Sequence, residues 1–372
     1  MRIVHISHSE IRTDSRILKM LTVCKDLNYE YITLNPSVNK KNSSYFKKIG
    51  IINYKYLYYL WLYPRTVIMA LVKLNKFKPN IIHCHDWYML PISVIGKIVF
   101  KYKLVYDAHE LESECQQMPK LLKIIAKYVE RISWKYVDFF ITVSESIKQW
   151  YFESYGYKNS SIILNSPELM SINSLKIATK NFNLRNIFNL KSEVLIYIYS
   201  GILTKGRGIE IMLEAFSKTN TKSVIIFLGD GPLLDKIKGY KERNDNIFFH
   251  QKVVHNEVTQ IVSSADYGLC LIEDVSLSDR YCLPNKLFEY IFAGLPVVAS
   301  DLPEIKKIVI ENNIGVVITP SVDNLTKVLD KNSLLANVPK LGDKNSFSHL
   351  TWESQALKLR NIYRGVADSY EE

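Results

Sequence analysis

Little in this sequence supports covalent or metal cross-linking. Its five cysteines, Cys24, Cys84, Cys115, Cys270 and Cys282, are scattered through 372 residues without metal-ligand spacing. That argues against a disulfide framework and fits buried thiols in a reducing cytoplasm. No apolar run is long enough to span a bilayer. The opening MRIVHISHSE reads as a strand followed by polar residues, not as a signal peptide. The first strand lacks the Gly-x-Gly-x-x-Gly of a dinucleotide site, and no glycine loop ends in the Gly-Lys-Ser/Thr of a nucleotide triphosphatase. Acid is scarce where base is plentiful: Asn39 to Lys103 holds 12 basic residues and one acid, Asp86.

What is present points to two α/β domains. The chain is long for a single hydrophobic core. Residues 1–165 carry 24 Lys+Arg against 13 Asp+Glu, while the remainder carries 24 of each. A basic half beside a neutral half suggests an anionic partner for one domain only. Short, nearly continuous apolar runs alternate with helical patterns: RIVHI (2–6), YITL (31–34), NIIHCH (80–85), KLVYDAH (103–109) and DFFITVS (138–144). After an Asn/Ser-rich linker come VLIYIYS (194–200), VIIFLG (224–229), NIFFH (246–250), YGLCLI (267–272) and PVVAS (296–300). Strands apolar on both faces and separated by helices predict two doubly wound parallel sheets. The expected domains are 1–165, a linker 166–189, 190–349, and a closing segment 350–372 whose helix crosses back to the first domain.

Ligands of such sheets bind beyond the carboxyl ends of the strands. In the first half these ends hold His85-Asp86-Trp87 and Asp107-Ala108-His109-Glu110, together with the loop His8–Asp14. Asp14 or Ser15 is expected to cap the first helix. A histidine at a strand end often only bonds a neighbouring loop. Two His/acid pairs at successive ends make a shared site the better reading. Residues 45–78 alternate tyrosine, tryptophan and leucine between lysines, which suits an anionic membrane interface as well as a helix packing its rings on the sheet. No nucleic-acid-binding module is recognisable.

In the second half, Gly201 to Gly208 (GILTKGRG) sets three glycines, Lys205 and Arg207 between a strand and a helix, where backbone amides can approach a phosphate. LPNKLFEYIFAGLPVVAS (283–300) reads as a helix starting at Pro284-Asn285, a turn at Gly294 and a buried strand. Its single acid is Glu289, and the helix start favours an anion.

Two such domains, the glycine-basic loop and the 283–300 stretch together resemble the GT-B nucleotide-sugar glycosyltransferases, and more narrowly the large retaining family four. Asp14 to Lys19, His85 to Trp87, Tyr106 to Glu110 and Ile141 to Ser146 match its acceptor domain. Gly201 to Gly208, Gly229 to Pro232 and Phe288 to Val298 match its donor domain. The resemblance implies two Rossmann-like domains facing across a cleft and transfer of a sugar from a nucleotide diphosphate, UDP by expectation, to a glycan or lipid-linked hydroxyl. Retention, no metal and no other cofactor are implied too, and the chain contains no Asp-x-Asp. On the donor side it implies Gly201, Lys205, Arg207, Gly229, Asn285, Lys286 and Leu287 around the diphosphate and sugar. Glu289 would hold the ribose, and Lys252 and Val253 the base. His85, His109 and Glu110 would act catalytically, with Asp14, Arg16, Asp86 and Trp87 on the acceptor side. The first glutamate of the family's E-x7-E motif falls on Tyr281 and is absent, and Asp279, Asn285 or Lys286 are the candidates for its place. Surface polysaccharide assembly at the inner membrane face is the expected setting. Two rivals are a nucleotide-sugar 2-epimerase on the same fold and a non-catalytic membrane-associated binding protein.

Overall fold

The apolar runs become parallel strands in two sheets. The computed structural model describes residues 1–8, 11, 14–34, 54–168, 183–219, 222–330 and 344–371. Most of the loop 8–14, the stretch 45–53 and most of the expected linker lie outside the described residues. Two compact units are formed, one by Met1–Ile163 with Ala356–Glu372 and the other by Leu164–Gln355.

The first unit holds β1 (Arg2–Ile6), β2 (Glu30–Leu34), β3 (Ile81–His85), β4 (Lys103–Ala108), β5 (Phe139–Thr142) and β6 (Ser160–Ile162), ordered β2-β1-β3-β4-β5-β6 and parallel throughout. The second holds β7 (Leu195–Ile202), β8 (Ser223–Asp230), β9 (Ile247–Gln251), β10 (Tyr267–Cys270), β11 (Val297–Ser300) and β12 (Gly315–Ile318), ordered β12-β11-β10-β7-β8-β9. Strand order reverses between β1 and β3 in one sheet and between β7 and β10 in the other. These are the two places where a doubly wound sheet opens a crevice for ligand at its carboxyl edge.

Right-handed crossovers decide which helices share a face. Passing from β2 through β5, the chain lays helices Tyr54–Phe77, Leu90–Phe100 and Lys120–Trp134 on one side of the first sheet. Helix Ser15–Asp26 and the C-terminal helix Trp352–Glu371 belong to the other side, where Arg360 bonds Asp26 and Tyr363 meets His5 and His83. Helix starts follow capping chemistry. Asp14 accepts from the Arg16 and Ile17 amides, and Ser144 from that of Ile147. All five cysteines are free thiols, three of them buried.

The second core is built of Tyr197, Tyr199, Phe216 and Phe227 with Leu213 and Val298. Gly208 opens helix Ile209–Lys218 at φ +71°, where an added Cβ would meet the Leu271 carbonyl oxygen at 2.4 Å. A side chain there would carry both left-handed strain and a clash with backbone. Gly208→Ala should therefore lower stability by roughly 2 kcal/mol or more. Gly239→Ala, in helix Leu234–Lys241 with nothing within 4 Å, should raise it by about 0.5–1 kcal/mol. Urea unfolding of the two variants checks the contrast.

Candidate active sites

In the first unit the site grows out of strand register. His5 on β1 lies opposite His83 on β3, and His85 on β3 opposite Asp107 on β4. Paired positions, and positions two apart, project from the same side of a sheet. Three imidazoles therefore stack in the interior, with ring centroids 4.4–5.3 Å apart and planes within 25°. Asp107 lies among them, fully buried. Its carboxylate accepts two bonds from Arg16, Nε to Oδ2 at 3.0 Å and Nη2 to Oδ1 at 2.8 Å, while Arg16 Nη1 donates to the Ile163 carbonyl. His109 Nε2 is 3.2 Å from Asp107 Oδ2, and His83 Nε2 and His85 Nδ1 are each 3.5 Å from it.

Hydrogen bonds link the rings into a circuit. His109 Nε2 lies 3.0 Å from His85 Nδ1, and His85 Nε2 lies 3.0 Å from His5 Nδ1. The circuit continues from His5 Nε2 to the Tyr363 hydroxyl at 3.4 Å and from that hydroxyl to His83 Nδ1 at 2.8 Å. One proton assignment suits this geometry: a doubly protonated His109 whose single Nε2–H is shared between Asp107 Oδ2 and His85 Nδ1 and whose Nδ1–H faces Asp86, with each other ring carrying a single N–H. Burial and the neighbouring histidines hold His5 and His85 well below the usual imidazole range. Burial also pulls His109 down, but Asp86 and Asp107 more than offset it, so that ring titrates at about 9. At neutral pH the pair at the strand ends is thus a neutral His85 beside a cationic His109.

A group raised above its unfolded value stabilises the fold fully below that value and ceases to do so as pH rises through the folded one. The contribution of His109 should therefore be complete below pH 6.5 and lost through about pH 9. Unfolding His109→Gln and the parent in urea across that range should show their stability gap closing. Asp86→Asn should move the loss to lower pH.

Asp86 stands in a strained conformation, φ 63° and ψ 160°, nearly closed to residues with a side chain. It is buried, with Oδ1 3.8 Å from His109 Nδ1. Strain of this kind persists only where neighbours enforce it. Here it aims a carboxylate at the cationic ring. Trp87 follows in a 3-10 turn, buried and stacked on Tyr88 at 3.9 Å, with its indole N–H lacking a partner among the described residues.

The structure distributes the sequence-predicted residues of this unit unevenly. His85, His109 and Asp86 come together. Arg16 does not face outward as an acceptor-side residue would, because its guanidinium is buried and engaged with Asp107. Asp14 is the helix cap. Glu110 is exposed beyond the strand end, with the Cys115 thiol 3.9 Å from its carboxylate. His5, His83 and Tyr363 were not singled out by sequence, and only register and the returning C-terminal helix bring them in. Two sets, His5/His83/His85 and His85/Asp107/His109, have ligand-type atoms within 4.8 Å of one another. Parallel stacking points the first three rings alongside one another instead of at a common centre, and a bond between His5 and His85 already engages two of their nitrogens. For that set the geometry favours proton relay over chelation.

In the second unit a cavity of about 460 Å³ opens at the carboxyl ends of β7 and β8. Ser200, Gly201, Gly229, Lys252, Val253 and Glu289 are among its lining residues. Glu289, 8% exposed on helix Asn285–Ala293, accepts a bond from the Ser200 hydroxyl at 3.2 Å. The Tyr290 hydroxyl accepts from the Ser200 amide at 2.9 Å and lies 3.2 Å from the Leu269 carbonyl, fixing the next residue of the same helix against the sheet. Lys252 is exposed and pairs with Asp230 at 3.6 Å.

Other predicted donor residues lie around this cavity's mouth or behind it. Lys286 Nζ sits 3.6 Å over the Tyr199 ring, and a Cβ on Gly201 would stand 3.5 Å from it. Helix Asn285–Ala293 begins at Pro284 without a side-chain cap. Leu287 is wholly buried and turns its side chain to the core, so only its backbone can face a ligand. Lys205 is exposed. Arg207 is half-buried and joined to Asp279 at 2.9 Å, and Ser276 caps the short helix Leu277–Arg280 by accepting from the Asp279 amide. The carboxylate considered for the missing glutamate's place is thus the counter-charge of the expected phosphate-binding arginine. Gly201 lies within β7 instead of in the following loop, since the strand runs on to Ile202. Glu273, which accepts from the Gly208 amide at 3.2 Å, and Ser200 escaped sequence reading because neither belongs to a recognisable pattern.

Comparison with known proteins matches both units. Residues 194–332 fit the family model described as Glycosyl transferases group 1, and residues 27–166 that described as Glycosyltransferase Family 4. A chitobiosyldiphosphodolichol beta-mannosyltransferase of Candida albicans is 26% identical over 272 residues, covering 64% of this chain and 56% of that protein. The chain thus spans less than two thirds of the length of the curated relative it matches. Among solved structures, sucrose-phosphate synthase from Thermosynechococcus elongatus superposes with a TM-score of 0.76 at 15% identity over 99% of each chain. HepE of Anabaena, in complex with UDP-glucose, gives 0.74 at 12% identity over 98% of this chain and 100% of its own. Among the described residues no helix is long and apolar enough to cross a membrane.

Proposed function

The chain belongs to the GT-B glycosyltransferases of group 1, and from that premise we propose that it moves a sugar from a nucleotide diphosphate to an acceptor hydroxyl. The observation that carries this reading is the cavity at the ends of β7 and β8. It joins a buried carboxylate, Glu289, to close-approach glycines and the Lys252-Val253 backbone. A carboxylate accepts hydrogen bonds from two vicinal hydroxyls, as a ribose offers them. A fixed glycine edge and an uncapped helix start suit a diphosphate. HepE's complex with UDP-glucose supports UDP as the first nucleotide to try.

Charge then assigns the remaining roles. Arg207, Lys205 and Lys286 neutralise the leaving diphosphate, with Arg207 exchanging Asp279 for phosphate. His85, neutral, buried and engaged at both ring nitrogens by His5 and His109, positions His109 towards the acceptor hydroxyl. The cationic His109 stabilises negative charge that develops there. We propose retention of anomeric configuration and a reaction that needs no metal. The anomeric proton coupling of the product, compared with that of the donor, decides the first. Activity after dialysis against a chelator decides the second.

The reading is tested by thermal shift against a panel of nucleoside diphosphates and nucleotide sugars. One nucleotide family should raise the melting temperature. No shift with any of them would remove the donor cavity from the account.

A further inference from the structure

Helix Lys120–Trp134 is amphipathic the wrong way round for a helix that only covers a sheet. Leu121, Ile124, Ile125, Tyr128 and Ile132 repeat at i, i+3, i+4, i+7 and i+11 and are 41–66% exposed. That spacing defines one helical stripe, and it faces solvent. The inward stripe is Ala126, Glu130, Ser133 and Trp134. It is secured by polar contacts: Glu130 accepts from Tyr106 at 2.8 Å, from Tyr151 and from Tyr155 at 3.3 Å, and the Trp134 indole N–H donates to Gly156. The fold therefore does not need the apolar stripe.

On the same face of the sheet helix Leu90–Phe100 packs beside helix Lys120–Trp134, and helix Tyr54–Phe77 packs beyond that one. Helix Leu90–Phe100 exposes Ile95, Ile98 and Val99, at 41–59%. Helix Tyr54–Phe77 exposes Ile68, Met69 and Val72, at 52–63%. Monomeric proteins seldom leave so large an apolar surface without a partner. Charge selects the kind of partner. Arg65, Lys73, Lys76, Lys120, Arg131 and Lys135 are exposed on or beside these helices. The three helices contain a single acid, Glu130, and it is buried.

We propose that this three-helix face, centred on helix Lys120–Trp134, docks the protein onto an anionic phospholipid bilayer. Isoleucine, leucine and tyrosine side chains would enter the interface, and lysines and arginines would meet the head-group phosphates. A second copy of the chain is a poorer occupant, because two such faces would set base against base. The inference stands independently of the catalytic reading, since docking needs neither donor nor acceptor.

The test is flotation of the full chain with phosphatidylglycerol-rich vesicles and with pure phosphatidylcholine vesicles, alongside Ile124→Gln/Ile125→Gln. The parent should float with the anionic vesicles only, and added salt should weaken it. The double variant should lose about tenfold or more in partitioning, because burial of even one aliphatic side chain contributes at about that level. Its melting temperature should not fall, since both side chains face outward. Failure of the parent to float, or equal flotation of the variant, would overturn the proposal. So would a dimer in sedimentation that the variant dissolves, which would give the face to a second copy. Nucleotide-sugar affinity measured on the same samples separates this outcome from failure of the catalytic reading.

Discussion

Glu289→Ala should weaken nucleotide-sugar binding by about ten- to a hundredfold, the range expected when a charge-assisted hydrogen-bond acceptor worth about 1.5–3 kcal/mol is removed. The carboxylate is at the cavity wall and accepts from the Ser200 hydroxyl. Ser200 keeps its link to Tyr290 through its amide. Folding stability should therefore change little while affinity collapses. Glu289→Gln, which keeps the volume and one acceptor oxygen, should fall between the parent and alanine. Isothermal titration with the nucleotide sugar identified by thermal shift measures all three. An unchanged affinity in Glu289→Ala would detach the buried carboxylate from the ribose and with it the orientation of the donor.

The second large effect lies in the first unit. Asp107→Ala should destabilise it by roughly 3–5 kcal/mol, because it leaves the buried Arg16 guanidinium without its counter-charge. On the usual scaling for a domain of this size, that is a fall in melting temperature on the order of 10 °C. Burial would raise the Asp107 carboxyl, but Arg16 and then His109 hold it well below the usual carboxylate range. Acid should thus unfold this unit only at low pH. The double variant Arg16→Met/Asp107→Leu removes both charges and should recover much of the loss. A double-mutant cycle followed by calorimetry reads the coupling directly. An Asp107→Ala variant as stable as the parent would mean that Arg16 finds another acceptor, and the histidine circuit would then lack its anchor.

Most of the fold was legible in the sequence because buried parallel strands announce themselves as apolar runs with no polar face. The two strands that escaped were of a different kind. β6, Ser160–Ile162, is short and starts with two serines, and β12, Gly315–Ile318, is led by a glycine; both are edge strands with little to bury. The donor cavity was partly legible, since glycines, Lys252-Val253 and Glu289 stand in ordered motifs. The Arg207–Asp279 pair was not, because nothing local joins residues so far apart in the chain. The histidine circuit was legible only at its ends. His85 and His109 terminate strands, whereas His5 and His83 sit inside strands, where register alone makes them neighbours. Tyr363 reaches them from the far end of the chain. The resemblance placed Arg16 on the acceptor side, and nothing local in the sequence shows that its guanidinium pairs with the buried Asp107. A helical period likewise gives the stripe of Lys120–Trp134 but not its direction, which Glu130 and three tyrosines set.

The central claim is transfer of a sugar, and acceptor dependence tests it most directly. With the nucleotide sugar that binds, release of nucleoside diphosphate should be slow alone and should rise on adding a glycan or lipid-linked acceptor. One new glycosidic linkage should form per diphosphate released, and at sub-saturating donor Glu289→Ala should lower the rise by about ten- to a hundredfold. Conversion of the donor to its C2 epimer without any acceptor, or tight donor binding with no product under any acceptor, would contradict the account.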